Sequence, residues 1–368
     1  MNMYYFSFGY PANHVFLTDA AGKKTENGLK IQCIFNADPS RSIAINGVPA
    51  TPASGCLKAT VELTSFKNIL TAVDTQTGEK NSITVYYVKK AHKTYRFSLD
   101  DNIWFLQDIA KNQHIYRSIF ENPYLSMLKG VHDQYGTHFH LNIYYETPHD
   151  GGFNLTMMPD KYKSEFIAHS DWLRFSFHAN ADKPDRPFIR KGYDQTKFEC
   201  LRVAEHIIRF AGEESYAKEV TTMHWGDATK ESVRALRACG VRMLVGSFRY
   251  ANPNNVQIRY YLNAEQCALM ENYGFYYDPE TDMEFVRYGS TLQHTALEDV
   301  PVLSALFEKQ YPLYSHKEIC VHEQYFYPHY VRYMPDYPQR FDIGVKWAVE
   351  NGYRSLFLSD IMEFDQKR

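Results

Sequence analysis

The sequence predicts an α/β protein, a distorted parallel (β/α) barrel of about seven or eight strands preceded by a small all-β sandwich. Three observations predict it. Residues 1 to about 90 hold short strand-like segments of alternating polarity, cut by the turn pairs Asn46-Gly47, Ser54-Gly55 and Thr77-Gly78, the spacing of an antiparallel sandwich. Beyond Lys90, strand-like and helix-like periods alternate to about residue 360, and a repeating βα order means a parallel sheet. At 368 residues the chain exceeds a typical single domain, so a barrel plus a smaller module accounts for its length. The expected division is 1–90 for the sandwich and 91–368 for the barrel.

In order, the sandwich strands are Leu29 to Phe35, Ser42 to Ile45, Leu57 to Leu63 and Ser82 to Val88. The barrel opens with Tyr95 to Asp101, running into a helical segment from Asn102 to Ile109. A helix from Tyr124 to His132 leads to a strand from His138 to Tyr145, and a helix from Asp160 to His169 leads to a strand from Trp172 to His178. A long helix from Thr196 to Phe210 precedes the strand Val220 to His224. A helix from Thr229 to Cys239 closes at Gly240 before the strand Arg242 to Val245. The last elements are the strand Glu318 to His322, the helix Arg340 to Glu350 and a strand from Ser355 to Leu358.

Composition excludes some partners. A net charge of −3 leaves no electrostatic footprint for nucleic acid or an anionic membrane. No run approaches about 20 apolar residues, so no spanning helix is expected. The amino terminus, Met1 to Phe8, has neither a basic region nor a long apolar run; no secretory signal and a cytoplasmic location are the expectations. Cys33, Cys56, Cys200, Cys239, Cys267 and Cys320 show no close pair and no zinc-type spacing, so they read as free thiols. The 29 Tyr and 24 Phe supply core and, in part, platforms for sugar rings.

Strand ends carry the candidate chemistry. Asp100 and Asp101 end the first barrel strand, where α/β folds place their sites. Two adjacent carboxylates disfavour each other's charge unless a cation lies nearby, so either a metal sits there or one of them caps the following helix. His178 and His322 end two further strands, and barrel strand ends converge on one face. Asp182 lies four residues after His178, a spacing that puts both on one face of a helical turn; it equally suits a loop cap before Lys183-Pro184. His138 and His140 alternate on one strand without an evident third partner and are expected to pack. Trp225, Tyr325 and Tyr327 are candidates for a sugar-stacking wall, with core packing the alternative for at least one of them.

Taken together, Ser98-Leu99-Asp100-Asp101, then Ser176-Phe177-His178 with Asp182, then Ile319-Cys320-Val321-His322 resemble the motif order of the polysaccharide deacetylases, the NodB-homology superfamily, across residues 92 to 360. The stretch from Asn46-Gly47-Val48 to Leu63 resembles bacterial Ig-like modules. The deacetylase resemblance implies a metal-dependent hydrolase that removes acetyl groups from a carbohydrate. It implies Asp100 as general base and His322 as general acid. Asp101 and His178, with Asp182 in place of a second histidine, become ligands of a divalent metal. That ligand set admits zinc, manganese, iron, cobalt or magnesium. Arg209 and His224 are the two candidates for orienting Asp100, and Trp225, Glu323 and Tyr325 join them as substrate-binding candidates. A glycoside hydrolase and a silent carbohydrate-binding protein are the alternatives.

Overall fold

The computed structural model describes residues 6–248, 250 and 258–362. Of the amino-terminal stretch read above for a leader, Met1 to Tyr5 lie outside the described residues. Residues 7–87 form two facing sheets. One orders Ser7–Tyr10, Leu29–Asn36, Cys56–Leu63 and Thr51–Ala53, and the other orders Phe16–Leu17, Lys80–Tyr87, Lys67–Asp74, Ile43–Ile45 and Val48–Pro49. Leu29, Ile31, Cys33 and Phe35 point into the space between the sheets while Lys30, Gln32 and Asn36 face water, the alternation expected of a half-buried strand.

Among the described residues, seven parallel strands build the barrel: β1 (Thr94–Asn102), β2 (Phe139–Tyr144), β3 (Leu173–Ala179), β4 (Val220–Thr221), β5 (Met243–Gly246), β6 (Met283–Arg287) and β7 (His316–His322). Pairing runs β3-β2-β1-β7 in one sheet and β4-β5-β6 in a second. The sheets join on one side because the chain leaving β6 pairs with β7 through Ser290–Thr291, and the Gly289 N–H donates to the Glu318 carbonyl at 2.7 Å. On the other side the Phe175 N–H donates to the Ser215 carbonyl at 2.8 Å. Phe275–Asp278 adds antiparallel to β6, and its Tyr277 N–H bonds the His14 carbonyl at 2.9 Å, docking the sandwich on the barrel.

The stretch between β5 and β7, to which the sequence reading assigned no elements, supplies β6, the helices Ala264–Tyr273 and Val300–Gln310, and Tyr288 of the site. The expected strand Ser355 to Leu358 is shorter: Arg354–Ser355 pairs with β1, and Leu358–Ile361 turns into a helix. A three-residue apolar run, Leu356-Phe357-Leu358, has no period that separates the two forms.

The barrel interior is polar. Along β1, Tyr95, Phe97 and Leu99 belong to the apolar core shared with the outer helices, with Phe97 stacked at 4.8 Å on Phe341, so Arg96, Ser98 and Asp100 face inward. Arg96 is ion-paired to Glu318 and touches His140. His140 Nε2 meets Ser176 Oγ at 2.7 Å, Ser176 donates to Asn142 Oδ1 at 2.7 Å, and Asn142 donates to Asp100 Oδ1 at 2.6 Å. Burial and the Arg96 charge hold the His140 imidazole well below its ordinary range, so it serves this column as a neutral ring. His138 packs its ring edge-on against Phe357 at 5.0 Å.

The helix α1 (Trp104–Lys111) after β1 is capped neither by Asp100 nor by Asp101. Glu323, just past β7, receives the N–H groups of Ile103 at 2.6 Å, Trp104 at 3.0 Å and Phe105 at 2.6 Å. A carboxylate there satisfies donors that a helix start leaves unpaired and complements its dipole. Glu323 is therefore a buried cap; the expectation that it binds substrate is corrected, because its oxygens are turned away from the cavity and used by the main chain. Burial pushes its carboxyl up to about 7 against the pull of those N–H groups.

Glu323→Ala leaves these N–H groups without an acceptor and lowers unfolding stability by about 2 to 4 kcal/mol, measured by denaturant titration. Because the folded-state value is raised from 4.5 to about 7, the folded chain keeps a proton that the unfolded chain has released, so this group's contribution declines as pH rises through that window. Glu323→Gln removes that slope.

Candidate functional site

A cavity of about 610 Å³ opens at the carboxyl ends of the barrel strands, and Asp100, Asp101, His178, His224 and His322 line it together. Consecutive strand residues normally point to opposite faces. Asp101 escapes this rule because its backbone is left-handed, with φ +61°, and the β1-β2 register slips between Leu99 and Asn102. A left-handed residue inside a strand end costs backbone energy that the surrounding contacts must hold. Both carboxylates thus face the same space.

Asp101 is the hub. Its Oδ1 lies 3.0 Å from His178 Nε2 and 3.1 Å from His224 Nδ1, and the two ring nitrogens are 3.3 Å apart. The Tyr144 hydroxyl donates to the same Oδ1 and stands 2.8 Å from His224 Nδ1. His322 Nε2 approaches Asp101 Oδ2 at 3.8 Å. Each histidine is oriented from behind: His178 Nδ1 faces the Thr222 carbonyl at 2.6 Å, and His224 Nε2 faces the Asp182 carbonyl at 3.1 Å. Carbonyls only accept, so both outer nitrogens carry the N–H and the inner nitrogens turn lone pairs toward Asp101. Lone pairs this close require positive charge among them, from a proton or a cation.

Titration follows the same demand. Burial alone would push the Asp101 carboxyl up, but the imidazoles of His322, His178 and His224 hold it well below the usual carboxylate range. Burial alone would lower His178, yet the bond to Asp101 and the charge of Asp100 raise it.

Two groupings among the described residues can hold a metal ion: Asp101 with His178 and His224, and Asp100 with Cys320 and His322. The first fits better. Its donor separations match the roughly 3.3 Å expected between donors about 2.0 Å from one tetrahedral cation, and its histidines have the carbonyl partners that metal-bound imidazoles use. In the second, the Cys320 thiol is turned to Asp100 Oδ2 at 3.5 Å. Asp100 is also already engaged, receiving Asn142 and Ser98 on Oδ1 and Tyr288, at 2.7 Å, and Cys320 on Oδ2.

Of the expected ligands, Asp101 and His178 meet. Asp182 reaches the triad through its main-chain carbonyl, and its side-chain Oδ1 is buried without a hydrogen-bond partner. The third position falls to His224, because Asp182 lies beyond β3 in a loop rather than in a helical turn, so the four-residue spacing does not align it with His178. His224 is swung inward by two successive left-handed residues, Trp225 at φ +69° and Gly226 at φ +56°. Trp225 and Tyr325 line the cavity. Arg209 does not; its guanidinium serves the carbonyls of Leu155 at 2.7 Å and Met158 at 2.8 Å and pairs with Asp160. Neither Arg209 nor His224 is among the groups holding Asp100, which Asn142, Ser98, Tyr288 and Cys320 supply. Sequence reading missed Asn142, Tyr144 and Tyr288. The first two carried a signal, since His140, Asn142 and Tyr144 alternate along an otherwise apolar strand.

No protein-family model matches this sequence, and no curated protein aligns with it significantly. Among solved structures, the chain is similar to a 4-alpha-glucanotransferase from Thermococcus litoralis at 10% identity and a TM-score of 0.49, over 75% of this chain and 41% of that one. It thus spans less than half of that enzyme's length. It is also similar to a candidate alpha-galactosidase from Bacteroides fragilis at 10% identity and a TM-score of 0.27, over 95% of this chain and 80% of that one. Likeness at this level carries neither a substrate nor a reaction across.

His224→Ala and His178→Ala each abolish stoichiometric binding of a divalent metal, whereas Asp182→Asn retains it. Metal analysis of the purified variants after loading and desalting checks this ordering.

Proposed function

We propose that the chain is a metal-dependent hydrolase that removes an acyl group from the nitrogen of an amino sugar, a deacetylase-type amidase. The observation that carries this reading is the Asp101-His178-His224 triad opening into the same cavity as a second carboxylate, Asp100, and a further imidazole, His322. Asp101, His178 and His224 would hold a divalent cation, which supplies Lewis acidity toward an acyl carbonyl and acidifies water.

The remaining work falls to the chain's own groups. Asp100, fixed by Asn142 and Tyr288, takes the proton from the attacking water; its weakest contact, the Cys320 thiol at 3.5 Å, yields to that water. His322 faces the Gln293 carboxamide with Nδ1 at 2.5 Å; with that amide turned so that its otherwise unpartnered Oε1 accepts the Nδ1–H, the ring is an imidazolium that presents Nε2–H to the cavity and protonates the departing amine. Water's oxygen joins the acyl carbon, the C–N bond breaks, and a carboxylic acid and a free amine result. Trp225 and Tyr325 offer ring faces to sugar.

A second reading, glycosidic cleavage by a carboxylate pair, draws on the buried and unpartnered Asp182 Oδ1 in the same cavity. Chelation separates the two. Under the amidase reading, removal of metal abolishes acetate release from an N-acetylated amino-sugar oligomer and reloading restores it. Cleavage of glycosidic bonds that survives chelation overturns it.

Asp100→Asn keeps the metal and lowers kcat by about 10²- to 10⁴-fold, and His322→Ala falls in the same range. Both are read from steady-state acetate release by metal-loaded enzyme.

A further inference from the structure

Four donor atoms, not three, meet in the triad. Tyr144 Oη touches Asp101 Oδ1, stands 2.8 Å from His224 Nδ1 and 3.4 Å from His224 Nε2, and its ring lies 5.1 Å from that of His178. With the two imidazole N–H groups committed to the carbonyls of Thr222 and Asp182, the phenol hydrogen is the one proton that neutral rings leave for all four donors. A single proton cannot satisfy both Asp101 Oδ1 and His224 Nδ1. Tyr144 is buried at the end of β2, and its hydroxyl is turned to Asp101 and His224.

We propose that Tyr144 is a fourth protein ligand of the metal centre, giving an Asp-His-His-Tyr set of two oxygen and two imidazole donors. This rests on the metal reading above. On binding, the phenol O–H bond gives way to an O–metal bond and the proton passes to solvent; no electron is transferred. A cation at this point inverts the local proton balance, as bound metals do. Two oxygen and two imidazole donors suit iron as well as zinc.

The test uses the full chain, stripped with chelator and loaded with ferric ion supplied as its citrate complex. Wild type is expected to bind one equivalent and to show a visible phenolate-to-iron charge-transfer band whose excitation enhances the ring vibrations of tyrosine. Tyr288→Phe, Tyr325→Phe and Tyr330→Phe, at the other phenols of the cavity, keep the band, and Tyr144→Phe loses it. Keeping those three variants in the set assigns the band even where Tyr144→Phe fails to retain iron. Stoichiometric iron in wild type without such a band overturns Tyr144 as a ligand and leaves the triad standing. Failure of wild type to hold ferric, zinc or cobalt ion overturns both.

Discussion

A partly buried carboxylate that must find positive charge organises the mouth of this barrel. Asp101 is turned inward by a left-handed backbone residue at the end of a strand whose alternation would have sent it outward. Once inside, it is expensive to leave alone. His178, His224, His322 and Tyr144 come from four different strand ends, and each has an atom close to one of its two oxygens. Outer hydrogen bonds fix which ring nitrogen faces the centre, so the arrangement specifies an electron-rich pocket before any ligand arrives.

Two further features protect that pocket. The polar column through the barrel, from the Arg96-Glu318 pair by way of His140, Ser176 and Asn142, ends on Asp100 and fixes the second carboxylate. Meanwhile Glu323 closes the start of the helix that follows β1, a task that either aspartate could otherwise have taken. Freed from capping, both carboxylates face the cavity. A glutamate with three main-chain donors is thus structural, yet it decides what its neighbours can do.

Much of the fold could be read from the chain. The turn pairs Asn46-Gly47 and Thr77-Gly78, the alternation along Leu29 to Phe35, and the βα order after Lys90 carry local periods that survive folding. The stretch between β5 and β7 was silent, because its strands are short and its helix Val300–Gln310 leaves Val302, Leu303 and Leu306 exposed, which blurs the amphipathic period. In the site, Asp100, Asp101, His178 and His322 were visible as chemistry-bearing residues at strand ends. The choice between Asp182 and His224 was not, since it depends on how the chain turns after β3 and on two left-handed residues after His224.

Sequence alone determined the layer architecture and the strand ends that carry reactive side chains, since hydrophobic period and residue type are local properties. Tertiary structure decided which of those side chains share one point in space. That Tyr144 meets Asp101 across 43 positions, that Glu323 caps a helix more than 200 residues earlier, and that Arg209 serves the carbonyls of Leu155 and Met158 follow from barrel closure, which brings together atoms that no spacing along the chain relates.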